Sequence, residues 1–114
     1  MVSNEQFRIL AKSFDQVETS PHFDKESFRV RKKIFATLNV KNQEVSVKLN
    51  LIDQSVFCAF DKAVIYPVEG SWGKLGWTLV NLKKIRKSML QDLLTVAYCT
   101  VAPPILAQQY KSGE

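Results

Sequence analysis

The chain has 114 residues, with sixteen Lys and Arg against eleven Asp and Glu, a net charge of +5, and 46% apolar residues. A chain of this length buries about two-thirds of its unfolded surface, so it needs no disulfide or metal to fold, and its apolar content is ordinary for a soluble globular protein. It holds no apolar run of about 18 residues and no basic-then-apolar leader, which sets the expectation of a cytoplasmic protein with no membrane contact.

A first helix is predicted from Phe7, Leu10, Ala11, Phe14 and Val17 at helical spacing. Ser3 with Gln6 makes a capping box, and Glu5 suits the first turn. The polar "ETSPHFDKES" reads as a loop around Pro21, with an extended segment over Val17 to Ser20. Phe28 and Val30 then alternate with Arg29 and Arg31 as a half-buried strand. The next strand, "KIFATLNV", has two possible registers. A turn at Arg31-Lys32 pairs Phe35 with Phe28, whereas a loop over Arg31 to Lys33 puts Ala36 there and turns the other face inward. "KNQE" is a second turn, with Asn42 suited to a left-handed conformation. "VSVKL" puts Val45, Val47 and Leu49 on one face.

Asn50 caps a helix, "LIDQSVFCAF", expected to bury Ile52 or Leu51 with Val56, Phe57 and Phe60. "AVIYPV" is a strand ended by Pro67, "EGSWGKLG" a glycine-rich loop with aromatic anchors, and "WTLVNL" the last strand. The final helix is predicted from Lys83 or Lys84 to Val101. Its stripe is Ile85, Met89 or Leu90, Leu93, Leu94, Ala97, Tyr98 and Val101, and Pro103 and Pro104 stop it. "ILAQQYKSGE" is a short terminal piece, one helical turn fraying at its end. The order is helix, three strands, helix, two strands, long helix. It implies one α+β domain over residues 1–114, with a curved antiparallel sheet and helices packed on one face.

Charge is uneven along this order. Residues 29–48 carry Arg29, Arg31, Lys32, Lys33, Lys41 and Lys48 against Glu44 alone, or +5. Residues 74–87 carry Lys74, Lys83, Lys84, Arg86 and Lys87 with no acid, another +5. The rest of the chain is net negative. Lysines on sheet edges also protect against aggregation, so a solvated turn is the competing explanation. The functional reading is a basic wing against a phosphate backbone, where Lys and Arg release condensed counterions and Arg29 and Arg31 offer forked donors. Cations at the start of the last helix oppose its macrodipole, a cost that anion contact would explain. The reading requires these cations to converge on one exposed face.

Catalytic and metal signals are weak. His22 is the only histidine, and it sits beside Pro21 in a polar segment. "GSWGKLG" lacks phosphate-loop spacing and places Leu75 where a Ser or Thr would hold magnesium. Cys58 and Cys99 lie in apolar surroundings with no C-x-x-C pair, as buried thiols would. Glu5, Asp15 and Glu18 are too few beside Arg8 and Lys12 to make an iron-binding ridge on the first helix. No enzyme, metal or cofactor is expected. Trp72 and Trp77 carry ring faces suited to stacking on bases, with core or rim packing the competing fate.

The motifs also resemble the MmcQ/YjbR family. "FRVRKKIFATL" follows its F-x-V-x-G-K-x-F-A pattern, "VSVKLN" its strand ending in lysine, "WTLVNL" its tryptophan strand, and "LLTVAYCTVAP" its S-Y-x-x-V helix. The resemblance implies a CyaY-like α+β fold and DNA binding through a double wing of strands. By position, Lys33 and Lys48 take the family lysines, Phe35 and Ala36 the strand pair, and Trp77 the aromatic strand. Lys32 replaces the usual turn glycine, and Thr95 to Ala97 replace the serine before Tyr98. Residues and resemblance together lead to the expectation of a monomer that binds nucleic acid, duplex DNA first. Its expected contacts are Arg29, Arg31, Lys32, Lys33, Lys41 and Lys48, with Lys83 and Lys84 in support. The alternative is a protein-interaction module with no nucleic-acid role.

Overall fold

The computed structural model describes residues 1–111. Helix α1 (Asn4–Lys12) leads into a six-stranded antiparallel sheet of β1 (Val17–His22), β2 (Lys25–Val30), β3 (Lys33–Asn39), β4 (Glu44–Lys48), β5 (Ile65–Pro67) and β6 (Trp77–Asn81). Helix α2 (Leu51–Cys58) and the one-turn α3 (Ser71–Lys74) interrupt the strands. Helix α4 (Lys87–Val101), α5 (Pro104–Ala107) and a 3-10 turn (Gln108–Tyr110) follow them. Spatial strand order is β1-β2-β3-β4-β6-β5. The expected fraying of the terminus falls on residues 112–114, outside the described residues.

The fold is α+β, as read from sequence, with one strand more. β1 runs through Pro21, which had read as a loop breaker. It is an edge strand, where a missing backbone donor costs no ladder bond on the solvent side. Helix α1 stops at Lys12, four residues short of Gln16, which turns the chain at φ 61°. Its capping box forms as predicted: Ser3 Oγ accepts from Gln6 N–H and Gln6 Oε1 from Ser3 N–H. Phe7 and Ala11 are buried, with Phe7 edge-on to Phe28 at 5.2 Å.

The β2–β3 register takes one element from each predicted alternative. The turn is Arg31-Lys32, since Val30 faces Lys33, yet Phe28 faces Ala36. A bulge between Phe28 and Arg29 reconciles them, because Arg29 pairs with Ile34 and Phe35 becomes the extra residue of β3. Phe35 and Ala36 therefore both enter the core, while Ile34 and Thr37 turn the other way. In the β3–β4 turn the left-handed residue is Gln43, at φ 51°, instead of Asn42. Asn39 Oδ1 there accepts from Asn42 N–H.

One sheet face carries the core. Phe28, Val30, Leu38, Val45, Val47 and Val80 meet Leu90, Leu93, Leu94, Ala97 and Tyr98 of α4, the predicted stripe. Tyr98 stacks on Phe14 at 4.9 Å and stands edge-on to Phe35 at 5.6 Å. Its hydroxyl donates to Asp15 O at 2.7 Å, and burial pushes its pKa up to about 12.

Three further predictions are corrected. Helix α2 is oriented by Gln54, not by its apolar residues. Gln54 is buried, and its amide donates to Gly73 O, Trp77 O and Thr78 Oγ1 at 3.1–3.2 Å. Phe57 and Cys58 follow it to half-burial, while Leu51, Ile52, Val56 and Phe60 face outward. The glycine-rich loop contains α3, closed by two close approaches. A Cβ on Gly73 would lie 1.9 Å from Val68 O, and one on Gly76, at φ 104°, 1.8 Å from Leu49 O. Helix α4 begins at Lys87. Lys83 and Lys84 belong to a preceding turn in which Asn81 Oδ1 accepts from Lys83 N–H and Asn81 O from Lys84 N–H. Their charge therefore stands before the helix start, where the macrodipole argument does not reach.

Candidate nucleic-acid interface

The second sheet face has no helix packed on it. Strand alternation lays its side chains in cross-strand rows. The central row is Ser20, Ser27, Thr37, Ser46, Leu79 and Tyr66. Its hydroxyls bond to one another: Ser20 Oγ to Ser27 Oγ at 3.0 Å, and Thr37 Oγ1 to Ser46 Oγ. Tyr66 closes the row by donating to Glu44 Oε2 at 3.0 Å, and burial with that carboxylate raises the phenol above its ordinary pKa.

Beside it, toward the β2–β3 turn, Glu18, Arg29 and Ile34 line up across β1 to β3, and Lys48 pairs with Trp77 across β4 and β6. Arg29 is held in place, its Nε donating to Ser20 Oγ at 3.1 Å and Ser27 Oγ at 3.2 Å. Two hydroxyls thus fix the guanidinium stem, and Nη1 donates to Lys32 O at 3.4 Å. Lys48 reaches along β4 to donate to Leu75 O and lies over Trp77, 5.8 Å from the ring centroid. That bond brings Leu75, at the end of α3, beside Lys48.

The eight predicted contacts do not converge on one surface. Successive turns of an antiparallel meander lie at alternate ends of the sheet. Arg29, Arg31, Lys32, Lys33 and Lys48 gather at the β2–β3 turn end. Lys41, Lys83 and Lys84 gather at the other end, where Leu82 N–H donates to Gln43 O at 3.0 Å. The seven residues of β3 separate the two ends by about 20 Å. Within the first group, Arg31 leans toward the helices, its Nε bonded to Gln16 Oε1 at 2.8 Å, and Lys33 starts on the same side opposite Val30. Arg29 and Lys48 face the open side, and Lys32 stands at the tip.

Among the described residues, the ion pairs are Arg8–Glu5 at 3.1 Å and Arg8–Glu26 at 2.7 Å. None involves a predicted contact. Arg8 holds Glu26 below the usual carboxylate range. Burial raises both thiols, which suits packed cysteines and not nucleophiles. Among the described residues, no three His, Cys, Asp or Glu gather as a metal site requires, and no helix is long and apolar enough to cross a membrane.

Sequence reasoning missed Lys74 and the outward position of Trp72, which is 60% exposed. Lys74 was visible in the second basic run. Its approach to Lys48 depends on a contact between residues 48 and 75 that no local pattern encodes. The support of Arg29 by Ser20 and Ser27 was likewise hidden, because the extended segment expected over Val17 to Ser20 had no partner strand assigned to it.

Among curated proteins, none matches the sequence. A crystal structure of Deinococcus radiodurans protein DR2400, a DUF419 domain, superposes with a TM-score of 0.79 at 15% identity, covering 96% of this chain and 88% of that one. At that identity the likeness concerns the fold. The YjbR family model matches residues 12–100, most of the sequence and all six strands but none of α1 before Lys12: the chain belongs to the YjbR family.

Proposed function

We propose, from the part of the predicted set that does share one end of the sheet and not from the whole of it, that this protein binds nucleic acid without catalysis, holding the phosphate backbone against the β2–β3 turn end and the adjoining open sheet face. One observation carries the reading. Arg29 and Lys48 stand on a face that no helix covers, with Lys32 at the adjoining turn tip and Lys74 next to the Leu75 that Lys48 bonds, and none is neutralised by an ion pair among the described residues. Each cation laid on a phosphate releases a counterion, the main sequence-independent source of affinity. Arg29 is held by hydroxyls beforehand, so it loses little freedom on contact. Lys41, Lys83 and Lys84 form a separate cluster that a short nucleic acid seated on the first end does not reach.

The test is fluorescence anisotropy of labelled random duplex, single strand and RNA at two ionic strengths. Binding that weakens steeply with salt is expected, and absence of binding to all three at low salt overturns the proposal.

A protein-interaction module is the second reading, and helix α2 favours it. Ile52 and Val56, four apart on its outward side, and Phe60, just past its end, are 78%, 54% and 65% exposed. Capture of a partner that survives nuclease treatment and is lost with Val56→Asp supports that reading.

A further inference from the structure

The nucleic-acid reading leaves open which form of nucleic acid the face takes, and the two tryptophans bear on this. Trp77 is half-buried in β6 with the Lys48 ammonium over its ring, so that face is taken. Trp72 is different. On the single turn of α3, Gly73 sits against Val68 O, while Trp72 and Leu75, three residues apart, point outward at 60% and 57% exposure. A large indole face is thus left in water on the short segment whose Leu75 O accepts from Lys48. Three inter-strand steps separate Arg29 from Trp77, or about 14 Å.

We propose that Trp72 stacks on an unpaired base, so that the preferred ligand is single-stranded nucleic acid, with Lys74, Lys48 and Arg29 on successive phosphates. The inference rests on the nucleic-acid reading above. Its physical basis is the availability of ring faces. In an intact duplex each base is already stacked on both sides and offers only its groove edges. A flat exposed indole gains from a duplex only by wedging a step apart, which costs a few kcal/mol of unstacking. An unpaired base offers its π-face freely, and every base has one, so the contact tolerates any sequence. Glu18, opposite Arg29 on β1, limits the strand's path to the β2–β6 part of the face.

The test uses the full chain with Trp77→Phe, which leaves Trp72 as its only tryptophan, and two labelled probes of equal length, oligothymidylate and a mixed-sequence duplex. Trp72 is outside the core, so Trp72→Ala spares folding, which far-ultraviolet circular dichroism checks. The expected result has three parts. Oligothymidylate quenches Trp72 fluorescence. Trp72→Ala weakens single-strand binding by about 5- to 150-fold, and Trp72→Phe recovers most of it. Duplex binding is weaker and does not change with Trp72→Ala. Equal single-strand affinity with and without Trp72, or tighter binding of duplex, overturns the stacking proposal and leaves the phosphate reading standing. No binding of either probe at low salt overturns both.

Discussion

Lys32 occupies a position whose backbone asks for glycine. The Arg31-Lys32 turn places both residues at positive φ, 51° and 71°, the conformation a two-residue hairpin of this twist requires. For an L-residue this region costs about 1–2 kcal/mol relative to the right-handed one. Replacing Lys32 with Gly removes that strain in the folded state. It also frees the unfolded chain, at a cost of about 0.5–1 kcal/mol. The balance is a gain of about 0.5–1 kcal/mol, or about 2–5 °C in Tm for a chain of this size. Charge moves the other way. With one cation lost from the tip, the slope of log affinity against log salt should fall by about 0.7–0.9. Urea unfolding followed by fluorescence gives the first quantity, and anisotropy over a salt series the second. A protein both more stable and weaker in binding shows that Lys32 is held in a strained place for its charge. Lower stability would refute the left-handed turn, and an unchanged salt slope would refute the contact.

Three further predictions concern the framework. Tyr98→Phe removes the bond to Asp15 O and should cost about 1 kcal/mol, measured by urea unfolding. The same phenol has a folded pKa near 12 against about 10 when unfolded. Its contribution is therefore complete below pH 10 and lost as pH rises toward 12, and alkaline unfolding of Tyr98→Phe should show a shallower decline across that interval. Gly76→Ala would press a Cβ into Leu49 O at a φ that side chains rarely adopt. It should destabilise by more than about 2 kcal/mol, and a neutral result would contradict the β4–α2 approach. Glu26→Gln should flatten the loss of stability on acidification, since Arg8 depresses Glu26 and its contribution, present above the unfolded pKa, disappears as pH falls through the lower folded one. Solvent screening limits the effect to about 0.5 kcal/mol.

How much was legible in the sequence follows from which interactions are local. Val45, Val47 and Leu49 alternate within one strand, and the stripe from Leu90 to Tyr98 repeats within one helix, so both could be read directly. β1 could be read only over Val17 to Ser20, because Pro21 is tolerated only by virtue of the strand's place at the sheet edge. The Phe35 bulge depends on how two strands compromise between a tight turn and burial of adjacent residues. Helix α2 was read correctly only at Phe57, since its apolar residues outnumber the one glutamine that docks it. Gln54 finds its acceptors at residues 73, 77 and 78, beyond any helical period. The division of the cations was implicit in the meander itself: if Arg31-Lys32 turns at one end, Lys41 must turn at the other. Counting charge along the chain hid that geometry.

The central claim is that cations at the β2–β3 turn end carry nucleic-acid affinity and those at the opposite end do not. The direct test compares Arg29→Gln with Lys48→Gln in one protein against Lys83→Gln with Lys84→Gln in another, each removing two charges, with binding measured over a salt series. The first pair should lower the salt slope by about 1.4–1.8 and the second should leave it unchanged. Equal losses from both pairs, or a loss confined to the second, would contradict the account.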